Sequence, residues 1–148
     1  MKAENTTRIQ FDSLSVNEAY ARGAAAAFLA RYDPTVPQLA ALKTAVSEAV
    51  TNCIVHAYRD SPLPPEKRMV ELRGEYYGDG RLVMTIKDCG RGISDIKQAM
   101  EPLFTTDPEG ERSGMGFTVM ESFTDRVRVR SKPGKGTVVR LEKNISIT

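Results

Sequence analysis

From Arg8 to Leu14 apolar and polar residues alternate. Ile9 and Phe11 fall on one face and Arg8, Gln10 and Asp12 on the other, which is the period of a half-buried strand. The period then lengthens. Ser15 and Glu18 have the spacing of a capping box, so a helix is predicted to run from there to about Arg31, through the alanines at 24–27, and to end at Asp33-Pro34. Pro37 suits the first turn of a second helix. Its later turns, Thr44 to His56, put Leu42, Val46, Ala49, Val50, Cys53 and Ala57 on one stripe. Glu48 and Asn52, one turn apart, share the opposite face. Val55 lies beside them, where a solvated face more often carries Lys, Glu or Gln, so this outer face is expected to be covered too. Ser61 to Glu66, with three prolines, cannot continue the helix and is a loop.

Two extended runs follow, Met69 to Tyr77 and Arg81 to Asp88, and Gly78-Asp79-Gly80 between them predicts a hairpin with Leu82, Met84 and Ile86 facing inward. Ser94 to Met100 suits a short helix. Glu101 to Met115 has prolines, glycines and hydroxyls without an apolar period, the composition of a mobile loop. Helical spacing returns over Gly116 to Phe123. Asp125 to Ser131 and Thr137 to Lys143 then form a second hairpin around Pro133-Gly134-Lys135-Gly136. Strands grouped in hairpins predict an α+β fold, a two-layer sandwich whose antiparallel or mixed sheet carries helices on one face. A doubly wound parallel sheet would need βαβ alternation, which this order lacks.

Composition adds bounds. At 148 residues with 41% apolar side chains, the chain is expected to form one domain over residues 1–148. A formal charge of +2 gives no global electrostatic case for nucleic acid or an anionic membrane. Cys53 and Cys89 have neither a close metal-binding spacing nor a clear disulfide pattern, which suits a reducing compartment. The opening MKAENTTRIQF has no apolar signal core, and no run is long enough to cross a bilayer. A soluble, cytoplasmic protein is expected.

Three features carry chemistry. Glu48 can accept a proton, and Asn52 can offer a carboxamide oxygen to a hard cation. Asp88-Cys89-Gly90-Arg91-Gly92 begins where a strand stops, so its glycines permit a sharp turn and a close approach. Ser113-Gly114-Met115-Gly116 precedes a helix, whose free amides and positive dipole end can hold phosphate. Neither GxxxxGK[ST] nor a strand-borne GxGxxG occurs, so the common nucleotide-binding folds are not indicated.

This ordered set resembles the Bergerat-type ATP-binding fold of type II topoisomerases, heat-shock chaperones, mismatch-repair ATPases and histidine kinases. Within that superfamily, SEAVTNCIVHAY, DCGRGI, EPLFTT and ERSGMGF look like the anti-sigma factor F serine kinases of sporulating bacteria. The resemblance covers nearly the whole chain. It implies ATP and Mg²⁺ as cofactors, with Glu48 as general base, Asn52 as Mg²⁺ ligand and Asp88 as acceptor of the adenine amino hydrogen. Gly90 and Gly92 would shape the adenine pocket and Thr137 would lie beside the adenine. Gly114 and Gly116 would hold phosphates, joined by Met115 and by Thr105, Thr106, Arg112 and Ser113 of a lid over the nucleotide that spans Thr105 to Ser113. The implied partners are a sigma factor, which the protein inhibits, and an anti-anti-sigma protein, which it phosphorylates. A homodimer is implied as well, with no direct nucleic-acid or membrane contact.

Arg22, among small alanines near the exposed side of the first helix, is a candidate partner contact. Arg126, Arg128 and Arg130 read as the solvated face of a one-sided sheet. His56, the single histidine, lies on the nucleotide helix, with no separate helical hairpin to present an acceptor to this site, so a packing role is expected. The alternative function is a nucleotide-gated sigma-binding module without kinase activity, against which an intact Glu48 counts.

Overall fold

The computed structural model describes residues 1–93, 95–100 and 116–145. Among the described residues five strands form one sheet: β1 (Asn5–Asp12), β2 (Met69–Tyr76), β3 (Arg81–Asp88), β4 (Arg126–Lys132) and β5 (Gly136–Asn144). Their spatial order is β1-β2-β3-β5-β4, and every neighbouring pair is antiparallel, so the sheet is antiparallel rather than mixed. Helices α1 (Asn17–Ala30), α2 (Val36–Asn52) and α4 (Gly116–Phe123) pack on one another and on one face of the sheet. The two-layer α+β sandwich expected from the strand grouping is therefore present.

The register explains what lies between the layers. Ile9, Leu72, Ile86, Val139 and Val129 form one cross-strand row, and Thr7, Gly74, Met84, Leu141 and Val127 form the next. Leu72, Ile86, Met84 and Leu141 are buried against Leu42, Val46 and Val50 of α2 and Met120 of α4. Each large apolar side chain so removed from water contributes about 1.5–3 kcal/mol. A third row ends the inward face: Phe11, Val70, Asp88, Thr137 and Ser131. Here the alternation of β3 puts a carboxylate where an apolar side chain is due.

Several boundaries differ from the expectations. β1 begins at Asn5 rather than Arg8, because Thr7 and Asn5 continue the inward alternation with polar residues, and Leu14 lies beyond it, exposed. No side chain caps α1; Ser15 does not form the expected box. Glu18 is engaged elsewhere, pairing with Arg22 at 3.7 Å and accepting from the Ser47 hydroxyl of α2. The capping box stands one helix later: Thr35 accepts from the Gln38 N–H while the Gln38 side chain accepts from the Thr35 N–H, with Pro37 in the first turn. Asp33, left-handed at φ 54°, separates the two helices. The expected helix over 94–100 is a short one, α3 (Ile96–Ala99), capped by Asp95.

Beyond Asn52 the α-helix widens into a π-helical turn, Cys53–Ala57. Such turns are rare and cluster at functional sites. Glu48, Asn52 and Val55 on the outer side are each half-buried, in line with a covered outer face.

Candidate functional site

Asp88 is 4% exposed, and its carboxylate is held from several directions. Oδ1 accepts from the Gly90 N–H at 2.9 Å, an arrangement local to the turn. Oδ2 accepts from the Cys53 thiol at 3.3 Å, which ties the end of β3 to the residue that follows Asn52. Burial pushes the Asp88 pKa above the ordinary value of 3.8, opposed by the Gly90 N–H, the Cys53 thiol and the Thr137 N–H. Burial, and then the charge of Asp88, push the Cys53 pKa up as well, so the thiol keeps its proton and remains a donor.

The turn after Asp88 is clamped from both sides. On one, the Ala57 carbonyl accepts from the Arg91 N–H at 2.8 Å; on the other, the Arg91 carbonyl accepts from the Gly134 N–H at 2.7 Å. A Cβ at Gly90 would overlap the Ala57 carbonyl, and one at Gly92 would overlap the Lys132 carbonyl at a φ of +76°, where side chains are strained. The close approach these glycines allow is thus to the protein's own backbone: the end of the π-helical turn and the tip of the β4–β5 hairpin. Tyr58 adds a strut, donating to the Met69 carbonyl at 2.6 Å and accepting from the Cys89 N–H at 2.9 Å. Thr137 Oγ1 shares a hydrogen bond with Ser131 Oγ at 2.9 Å, and Ser131 also accepts from the Ile93 N–H at 2.8 Å.

Glu48 lies on α2 above a different feature. It lines an open groove of about 310 Å³ with Arg22, Ala40, Lys43, Thr44 and Ser47. Arg22, singled out as a partner contact, thus shares a groove with the proposed base. Among the described residues no group of three or more His, Cys, Asp or Glu could hold a metal ion. Asn52 supplies a hard oxygen donor one turn from Glu48 on the same helix face, which fits a Mg²⁺ whose remaining ligands are phosphate oxygens and water. Gly116 opens α4, so a helix start stands where the glycine motif predicts one. Thr105, Thr106, Arg112, Ser113, Gly114 and Met115, with the expected loop over 101–115, lie outside the described residues.

Two residues of this site escaped the sequence. Cys53 reads as one member of the apolar stripe, and its polar contact depends on a carboxylate that is distant in sequence. Tyr58 closes the run SEAVTNCIVHAY but is given no role there; an aromatic just past a helix and before a proline loop was the available signal. His56 sits half-buried within the π-helical turn. Arg126, Arg128 and Arg130 are exposed on the outer face of β4, the face opposite the helices.

A profile of the histidine kinase-like ATPase domain matches residues 12–143. In three dimensions the chain is similar to the RsbU and RsbW domains of a Mycobacterium tuberculosis protein, with a TM-score of 0.66 at 18% identity, covering 95% of this chain and 32% of that one. The fold and the match define the class, a histidine kinase-like ATPase domain. The chain is 48% identical to the anti-sigma F factor of Caldanaerobacter subterraneus subsp. tengcongensis, over 98% of its own length and 97% of that protein's. It is 50% identical to the anti-sigma F factor of Pasteuria penetrans, over 95% and 91% of the two chains. The chain therefore belongs to the anti-sigma F factor family.

Proposed function

We propose that the protein is an ATP-dependent protein-serine kinase. On this reading it phosphorylates an anti-anti-sigma protein, binds and inhibits a sporulation sigma factor, and works as a cytoplasmic homodimer. The observation that carries the reading is the contact of Asp88 with the helix bearing Glu48 and Asn52, in a chain about half identical to anti-sigma F factors.

Asp88, an acceptor with lone pairs beyond those its neighbours use, receives the adenine amino hydrogen. Gly90 and Gly92 hold the turn that fixes Asp88, and Thr137 bounds the adenine side. The free amides at the start of α4, at Gly116, bear phosphate charge together with Ser113, Gly114 and Met115. Thr105, Thr106 and Arg112 belong to the covering segment. Asn52 presents its carboxamide oxygen to Mg²⁺, which when bound neutralises phosphate charge in the transition state. Glu48 takes the proton of the incoming serine hydroxyl as that oxygen bonds to the γ-phosphorus and the bond to ADP breaks. Its place in an open groove leaves room for a protein substrate, and Arg22 at the same groove contacts the partner.

The test is incubation of the purified protein with γ-labelled ATP and recombinant candidate antagonists. Label on a partner serine, lost in Glu48→Gln, is the expected result. ATP-dependent capture of a sigma factor with no labelled serine would favour the nucleotide-gated module.

A further inference from the structure

The Cys53 thiol is more than one element of the apolar stripe. It is 4% exposed, yet its sulfur lies 3.3 Å from Asp88 Oδ2, the oxygen that the turn's own Gly90 N–H does not hold. We infer that Cys53 is a positioning residue for base recognition, its S–H fixing the Asp88 carboxylate so that a lone pair faces an amino group on the nucleotide base. This rests on the nucleotide reading above and adds a residue that acts through Asp88.

A carboxylate anchored at one oxygen still turns about its χ2 torsion, which is broad for aspartate. Anchoring the second oxygen from a different element removes that freedom. The Gly90 N–H comes from the turn and the thiol comes from the helix, so the plane of the carboxylate is set relative to both. A thiol is a weak donor, and each carboxylate oxygen has two lone pairs, so the contact orients the group without exhausting its capacity to accept. Among the described residues the groups hydrogen-bonded to the Asp88 carboxylate, the Gly90 N–H and the Cys53 S–H, are both donors. The carboxylate is therefore kept as an acceptor, the character that prefers a 6-amino purine over a 6-keto one. The π-helical turn matters because it begins at Cys53 and carries the chain on to Ala57, whose carbonyl grips Arg91 in the same turn. Helix and turn are thus joined on both sides of Asp88.

The experiment uses the full chain and four proteins besides wild type: Cys53→Ala, Cys53→Ser, Asp88→Asn, and Cys53→Ala with Asp88→Asn. ATP and GTP affinities are measured by calorimetry, and the Asp88 carboxyl carbon is observed by ¹³C NMR without nucleotide. Cys53→Ala is expected to weaken ATP binding about three- to tenfold, in keeping with loss of one weak donor, and to narrow the preference for ATP over GTP. Cys53→Ser restores both because it restores a donor. In the Asp88→Asn background the Cys53→Ala change has little further effect, which a general loosening of the core would not produce. Wild-type ATP affinity and base preference in Cys53→Ala, or an undiminished effect in the Asp88→Asn background, would overturn the inference while leaving the nucleotide reading intact. A wild-type protein that binds no ATP would overturn the nucleotide reading and the proposed role with it, and an Asp88 carboxyl signal unmoved in Cys53→Ala would overturn the contact itself.

Discussion

The two halves of the site are built to opposite specifications. Around Asp88 every group comes from backbone or buried side chains: the Gly90 and Arg91 amides, the Ala57 carbonyl, the Cys53 thiol and the Tyr58 hydroxyl. Around Glu48 the groove is open, and apart from Ala40 its lining is polar or charged: Arg22, Lys43, Thr44 and Ser47. A surface of the first kind recognises one shape, because moving any part leaves buried groups unpaired. A surface of the second kind admits a large partner and adapts to it. The contrast suits the proposed role, in which one small nucleotide is selected and its phosphoryl group passes to another protein.

The comparison breaks most sharply at Glu48. Glu48→Gln is expected to leave ATP binding near wild type and to lower phosphoryl transfer about 10²- to 10⁴-fold, since the amide keeps the shape and cannot accept the proton. Single-turnover transfer and calorimetry on the same preparation check both halves; near-normal transfer would remove Glu48 from the chemistry. Next comes the clamp. Gly92→Ala puts a Cβ into the Lys132 carbonyl at positive φ and should cost about 2 to 4 kcal/mol of stability, read as a lower urea midpoint. An unchanged midpoint would mean that the turn gives way more easily than its hydrogen bonds indicate.

Asp88→Asn sharpens the comparison on the recognition side. An amide can turn a donor toward the base, so ATP affinity should fall about tenfold or more. pH adds an independent handle. In the folded protein Asp88 holds its proton more tightly than in the unfolded chain, because its pKa is raised above 3.8 by burial. The stability from this difference is fully present below 3.8 and is lost as pH rises through the raised folded value. Asp88→Asn removes that loss, so the variant should gain stability relative to wild type as pH rises through this window. ATP affinity of the wild type should in turn decline on acidification, starting above the ordinary aspartate range. A stability difference that stays flat across the window would leave Asp88 unperturbed.

The smallest effect is expected at Arg22. Its pair with Glu18 is 3.7 Å long and its side chain is 43% exposed, so Arg22→Ala should shift unfolding by no more than about 1 kcal/mol. Partner affinity should fall severalfold while ATP affinity stays at the wild-type value. A change in ATP affinity instead would assign Arg22 to the nucleotide side of the comparison.

What the sequence disclosed follows the same division. Strands showed themselves by alternation, down to Leu82, Met84 and Ile86, and the apolar stripe of α2 by its spacing, because both patterns are local. Glu48 and Asn52 stood out because they share the outer helix face beside Val55, and Asp88 because a glycine turn follows it where a strand stops. Cys53 did not, since a thiol on an apolar stripe is indistinguishable from packing until its partner is known. The capping signal was ambiguous for a similar reason. Ser15 with Glu18 and Thr35 with Gln38 have the same spacing, and the first does not form a box because Glu18 is drawn to Ser47 and Arg22. No residue type marks a π-helical turn, so the widening at Cys53 was invisible.

The order of strands carries one more consequence, for the ribosome. β2 and β3 form a local hairpin and can pair as soon as they emerge, but β3 must wait for β5, which follows α3 and α4 in the chain. Asp88 pairs with Thr137 in that late step, and Gly136 comes to lie against the Asp88 carbonyl. A nascent chain therefore holds Asp88 with its Cys53 and Gly90 partners within reach but with one flank open to water until β5 has been synthesised. Completion of the Asp88 flank is thereby deferred until β5 has been made, so a chain that stops before it lacks the β5 side of the proposed pocket.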